Sequence, residues 1–218
     1  RSHVPDIIVS DVMMPRMNGY KLCKTIKEDI NISHIPVILL TARDDRQSQI
    51  SGYKNGADGY LSKPFEVEML MELIRNRLKN REYTKKRYLN AGLIPTPEES
   101  TISLTDETFL IKLNSIIQEN IENSNLGIQF ICQEVGLGRS SLYNKLKALT
   151  GMGANEYISK LRIEKAITLI SGTDMPFSEI AEKTGFTTPS YFSTAFKQYT
   201  GETPSQYKER KKKGLADK

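Results

Sequence analysis

RSSLYNKLKALTG (139–151) and PSYFSTAFKQYTG (189–201) lie 50 residues apart and share one pattern. Leu142, Leu146, Lys147, Thr150, Gly151 and, beyond the passage, Tyr157 return as Phe192, Phe196, Lys197, Thr200, Gly201 and Tyr207. The large apolar pair recurs at i, i+4, which puts it on one face of a helix. A Gly-containing turn precedes each passage, Gly136-Leu137-Gly138 in the first and Gly185-Phe186-Thr187 in the second, and a Gly stops each one. Ahead of the turns, Phe130, Ile131 and Val135, then Ile180 and Ala181, are the apolar positions of a leading helix. The chain is therefore expected to fold two helix–turn–helix units, at about 128–149 and 178–199.

With Leu142 and Leu146 facing inward, Ser140, Tyr143, Asn144 and Lys147 face outward. In the second copy Phe192 and Phe196 face inward and leave Ser190, Ser193, Thr194 and Lys197 outside, with Thr188 as N-cap and Pro189 at the first helical position. A polar helix face is usually no more than a solvated surface. Short hydroxyl and amide side chains beside a Lys also suit base edges and phosphates in a DNA groove, and the duplication favours that reading. A helix over about Asn155 to Ser171, stopped by Gly172, spans roughly 25 Å. That length is fit to hold two reading helices near the ~34 Å repeat of the duplex.

The chain before these units has another character. Ile7–Ser10, Val37–Leu40 and the end of Gly56–Leu61 read as strands. Helical spacing lies between and after them, at Tyr20, Leu22, Cys23 and Ile26, over Asp45–Asn55, and strongly over Glu66 to about Arg81. Strands alternating with helices predict a parallel sheet. Asp11, Thr41 and Lys63 then fall at three successive strand ends, the edge where open α/β sheets bind ligands. Singly, each is a turn cap or a surface charge. Together they suit phosphoryl chemistry: the carboxylate attacks, the ammonium neutralises the phosphoryl oxygens and the hydroxyl donates to one of them. Residues 82–104 lose periodicity and carry Pro95 and Pro97, so they read as a linker. After it Thr105 is expected to cap a helix with Asp106 and Glu107 in its first turn and Phe109, Leu110, Leu113, Ile116, Ile117 and Ile121 along its apolar stripe. Thr203-Pro204-Ser205-Gln206 opens the last helix, and the basic run Lys208–Lys213 reads as a solvated, frayed terminus.

Bulk properties permit this reading. The 218 residues carry 31 Lys plus Arg against 26 Asp plus Glu, a net charge of +5, which is compatible with nucleic acid without requiring it. Cys23, Cys132, His3 and His34 have no metal-ligand spacing. No apolar run is long enough to span a membrane and no leader is visible, so a cytoplasmic protein with reduced thiols is expected. The chain starts without Met and almost directly in a strand, as a piece of a longer protein would.

Asp11-Val12-Met13-Met14-Pro15, Gly19, Thr41-Ala42 and Lys63-Pro64-Phe65 together resemble the receiver domain of bacterial response regulators. Ile180-Ala181, Gly185-Phe186, Tyr191-Phe192, Phe196-Lys197, Gly201, Thr203-Pro204 and Tyr207 resemble the AraC/XylS-type DNA-binding domain. The resemblance implies an α/β receiver fragment with a flavodoxin-like parallel sheet (1–81), lacking its first two strands and the acidic pair that follows the first. A linker (82–104) and an all-α tandem helix–turn–helix domain (105–218) complete it. Asp11 would accept phosphate from a histidine kinase, Thr41 and Lys63 would contact the phosphoryl group, and Tyr60 would be an aromatic switch. The peptide Lys63–Pro64 would be cis. Asp11 and the Met13 carbonyl would ligate Mg²⁺ in an intact receiver, with no metal expected in this fragment, which on this reading is not phosphorylated normally. The DNA contacts would be Ser140, Tyr143, Asn144, Lys147, Ser190, Ser193, Thr194 and Lys197.

The order of parts, with Leu93-Ile94-Pro95-Thr96-Pro97 between them, resembles the C-terminal part of hybrid two-component regulators of Bacteroidetes. The implied protein is a transcription regulator and not an enzyme, although a parent chain can carry a histidine kinase and a membrane anchor. Its implied partners are double-stranded DNA, the kinase, a second copy and RNA polymerase. The rival reading is a protein-interaction or phosphorelay module without direct DNA binding.

Overall fold

The structure, a computed structural model, describes residues 4–42, 56–91 and 103–216. The helix expected over Asp45–Asn55 and the Pro95/Pro97 segment lie outside the described residues. The chain forms two compact units, one of residues 1–111 with 140–151 and the other of residues 112–139 with 152–218.

In the first unit β1 (Ile8–Asp11), β2 (Val37–Ala42) and β3 (Gly59–Lys63) form a parallel sheet in that order. Val37, Ile38 and Leu39 are fully buried, which is why the central strand reads as an unbroken apolar run. Helix α1 (Gly19–Glu28) starts where Asn18 Oδ1 accepts the Lys21 N–H at 2.8 Å. It buries Cys23 and Ile26 against Val12, Val37, Leu39 and Ala57. Helix α2 (Val67–Ala91) runs ten residues beyond the expected end at Arg81, into the stretch read as linker. Residues 82–91 lose apolar periodicity but keep good helix formers, with an i, i+3 ion pair between Glu82 and Lys85. A helix without a core face is invisible to periodicity.

The start of α3 (Leu104–Glu119) and α5 (Arg139–Thr150) from Ser140 onward also belong to the first unit. The cap of α3 is Ser103, not Thr105. Ser103 Oγ accepts the Asp106 N–H at 3.2 Å and donates to Asp106 Oδ2 at 2.8 Å. Both residues are good caps in sequence, and the closer fit of the Ser103–Asp106 pair at i, i+3 decides.

The second unit is helical: the rest of α3, then α4 (Ile128–Val135), α6 (Ala154–Gly172), α7 (Phe177–Lys183), α8 (Pro189–Thr200) and α9 (Pro204–Ala216). Its core joins Ile163, Ala166 and Ile170 of α6, Ile180 and Ala181 of α7, Phe186, Phe192 and Phe196, and Tyr207 of α9. Tyr191, Phe186, Phe192, Phe196 and Tyr207 form a continuous aromatic chain with centroids 5.4–5.8 Å apart, tilted at Phe186–Phe192 and edge-on at the other contacts. Thr188 caps α8 as expected, accepting the Tyr191 N–H at 3.2 Å. At α9, Thr203 and Gln206 make the reciprocal cap. The basic tail is not frayed, because α9 continues through it to Ala216. Arg210 is held by Glu202 at 2.6 and 2.9 Å, and Lys208 lies 3.2 Å from Asp174.

Candidate functional site

The parallel register sets Asp11 opposite Leu40, Thr41 opposite Ser62 and Ala42 opposite Lys63, so the three candidates share one sheet edge. Lys63 Nζ is ion-paired with Asp11 Oδ2, and Asp11 Oδ1 accepts the Met13 N–H at 3.0 Å. The Lys63 hydrogen bond, then the Met13 amide, hold the Asp11 carboxyl below the usual carboxylate range. Asp11 is therefore an anion at neutral pH, with a cation placed directly beside it. Thr41 is not brought onto Asp11: it is buried, and its hydroxyl donates to the Ala42 carbonyl at 3.3 Å. Tyr60 is half-buried against the core of this unit. The Lys63–Pro64 peptide is cis.

Magnesium requires near-octahedral oxygen ligation. Among the described residues no cluster of three His, Cys, Asp or Glu side chains is poised for a metal. Both oxygens of Asp11 are engaged, and Asp6 precedes β1, at the opposite strand end. Among the described residues the donor set does not fit the ion.

On α5, Leu142 and Leu146 are buried while Ser140, Tyr143, Asn144 and Lys147 are exposed. On α8, Phe192 and Phe196 are buried, Ser190, Thr194 and Lys197 are exposed, and Ser193 is half-buried. The outward faces read from the sequence are therefore outward in the structure. Tyr191, more than half exposed on the first turn of α8, was not among the residues expected at this face. Tyr191 counted only as part of the family signature, although an exposed aromatic beside Ser190 is itself a contact signal. Lys145, between two outward residues, was passed over and is completely buried.

A parallel α/β half ending in a paired acid and ammonium is followed by a duplicated helix–turn–helix, the two-part build of a receiver joined to a helical output domain. Residues 1–75 match the family described as "Response regulator receiver domain", and residues 131–210 match the family described as "Helix-turn-helix domain". "Probable transcriptional regulator ycf29" of Pyropia yezoensis is 30% identical over 162 residues, 69% of this chain and 73% of that protein. "Histidine kinase P4" of Formosa agariphila is 42% identical over 210 residues, 96% of this chain. The chain spans 15% of that protein's length. The solved C-terminal domain of AraT, a response regulator from Geobacillus stearothermophilus, is 31% identical with a TM-score of 0.44, over 47% of this chain and 84% of that one. The chain belongs to the response regulators, as a receiver domain joined to an AraC-type helix–turn–helix domain. It has the architecture of a two-component DNA-binding transcriptional regulator. No described helix is long and apolar enough to cross a membrane.

Proposed function

We propose that this chain is the output end of a two-component relay, reading a two-part DNA site under the control of phosphate on Asp11. One observation carries the reading: two helices 50 residues apart expose matching positions, Ser140 and Ser190, Asn144 and Thr194, Lys147 and Lys197, over buried apolar pairs. Ser140, Tyr143, Asn144, Ser190, Ser193 and Thr194 contact base edges, while Lys147 and Lys197 contact phosphates.

In the intact protein the Asp11 carboxylate attacks the phosphorus of a phosphohistidine. The O–P bond forms as the N–P bond breaks, and the imidazole leaves. Lys63 transfers its contact from the carboxylate to the phosphoryl oxygens, and Thr41 turns from the Ala42 carbonyl toward them, letting Tyr60 follow. The kinase occupies the same polypeptide, a proposal supported by the match to 15% of Histidine kinase P4. The protein works in the cytoplasm on double-stranded DNA, as a regulator and not an enzyme at this end. A second copy and RNA polymerase are its further partners.

Randomised-site selection at several salt concentrations tests this, with Asn144→Ala and Thr194→Ala beside the wild type. The expected result is an enriched two-part site, half-sites about one helical turn apart, with preference at one base position lost in each variant. A folded protein that enriches no site, or binds DNA without salt dependence, refutes it.

A further inference from the structure

The first unit holds a second polar cluster, remote from the strand ends that carry Asp11. It joins three segments far apart in sequence: the loop between α1 and β2, the first turn of α3, and α5. Lys145 Nζ is ion-paired with Asp106 Oδ1 and donates to Ser33 Oγ at 2.7 Å. Ser33 Oγ donates in turn to Asp106 Oδ1 at 2.7 Å, and Ser103 closes the other carboxylate oxygen. The ammonium lies 5.1 Å from the centre of the Phe109 ring. Beside the cluster, Thr105 Oγ1 donates to the Lys27 carbonyl at 2.8 Å. Ser33 and Lys145 are wholly buried and Asp106 nearly so. Removing either charged member leaves an uncompensated buried charge, and removing a serine leaves a buried polar group short of a partner, so the set fixes one arrangement of its three segments.

The second reading helix is a built-in comparison. Lys145, Ala148 and Leu149 correspond to Ala195, Gln198 and Tyr199. On α5 all three are buried, whereas on α8 Gln198 and Tyr199 are exposed and border an open groove beside α6. Only the first reader has this face covered, and only the first carries a cation there. Its opposite face, with Tyr143, Asn144 and Lys147, stays exposed while the cluster is made.

We infer that the α1–β2 loop of the receiver grips the back of the first reading helix through Ser33, Asp106 and Lys145, and that the grip persists when that helix is on DNA. The receiver carries this reader and does not cover it. Loosening the grip therefore weakens DNA binding, where loosening a cover would strengthen it. The second half of this inference rests on the DNA-binding reading and the first does not.

The test uses the full chain with Ser33→Arg, which sets a second cation against Lys145. Amide exchange over 139–150 and 29–34 is expected to rise by about tenfold or more while 154–172 stays unchanged. Affinity for the selected DNA site is expected to fall by about fivefold or more. Unchanged exchange over 139–150 overturns the grip, whatever the DNA result. A gain in affinity with faster exchange overturns carrying in favour of covering. If the wild type binds no DNA, the DNA-binding reading fails and the exchange result still judges the grip. Should Ser33→Arg unfold the chain, Ser33→Ala and Lys145→Met are combined. The effect of Ser33→Ala on exchange is expected to vanish in the Lys145→Met background, and simple additivity overturns the contact.

Discussion

Replacing Gly185 by Ala separates the cost of an unusual backbone from the cost of a blocked close approach. Gly185 sits between α7 and α8 with φ 72°, and Gly136, which ends α4, has the same φ. An L side chain in this region costs about 1–2 kcal/mol. At Gly136 nothing lies within 4 Å of an added Cβ, so that cost is the whole effect. At Gly185 the added carbon would fall 2.2 Å from the Ile121 carbonyl oxygen and 2.8–2.9 Å from the Arg162 guanidinium. The turn must lift away, and Arg162, buried and bonded to the Asn123 carbonyl at 2.7 Å, must give up its place. Losing that charged hydrogen bond adds about 1.5–3 kcal/mol, before any cost to Phe186, whose ring lies 5.9 Å from the Arg162 guanidinium. The expected totals are about 3–5 kcal/mol for Gly185→Ala and about 1–2 for Gly136→Ala. At about 2–4 °C per kcal/mol for a chain of this size, thermal unfolding followed by circular dichroism should fall by roughly 10 °C in the first variant and roughly 4 °C in the second. Equal shifts would mean that the approach of the turn to Ile121 and Arg162 contributes nothing.

His34 is pushed down to about 4, chiefly by burial and then by Lys145, Arg81 and Lys27. The unfolded state thus takes up the proton first, and the stability is whole above pH 6.5. It is lost by about 3 kcal/mol as pH falls to 4, and His34→Gln should flatten that limb of a plot of Tm against pH. Parallel limbs would contradict it. Lys147→Ala should weaken binding to all DNA sequences alike and lower the salt slope by about 1, whereas Asn144→Ala should relax preference at one base position and leave the slope unchanged; the reverse pattern would exchange their roles. Gly138→Ser, at a position where a Cβ meets nothing within 4 Å, should raise stability by a few tenths of a kcal/mol as a better helix cap, and a loss in thermal unfolding would contradict that placement. Asp11→Asn in the full-length protein should abolish the mass gain of one phosphoryl group on exposure to its kinase, and retention of that gain would move the acceptor elsewhere.

Features that obey a period were legible in the sequence. The sheet, the faces of α5 and α8 and the cap at Thr188 follow from alternation, i, i+4 spacing and local turn chemistry. Features settled by distant partners were not. Lys145 has the spacing of a flank residue, and only Asp106 and Ser33, 39 and 112 residues away, make its burial possible. Ser103 and Thr105 are equivalent as caps until Thr105 is drawn to the Lys27 carbonyl. The basic end of α9 looked frayed because Glu202 and Asp174, which hold it, lie outside the run itself. At the acceptor edge the sequence placed Asp11, Thr41 and Lys63 together, yet which of the three touch depends on side-chain rotation, and only Asp11 and Lys63 do.

The acceptor edge and the Ser33 cluster lie toward opposite ends of β2, which limits how one can influence the other. β2 is paired in register on both sides, and its first three residues are fully buried. A one-residue slip would turn the strand's side chains to the opposite faces, so β2 cannot act as a sliding rod. What is adjustable is the setting of its ends. At one end Thr41 turns on its own side chain. At the other, Asp58 accepts the Val37 N–H at 2.8 Å and pairs with Lys27 at 2.7 Å. Lys27 donates to the carbonyls of Ser33 and Ile35 and, through its own carbonyl, accepts Thr105. Lys27 thus ties the strand's first residue, the gripping loop and the start of α3 into one knot. On the proposed mechanism, phosphate that turns Thr41 is expected to move that knot as a body. Lys27→Met should therefore uncouple phosphorylation from DNA affinity in the full-length protein while leaving phosphate uptake at Asp11 intact. A variant that still raises its DNA affinity on phosphorylation as the wild type does would place the path elsewhere.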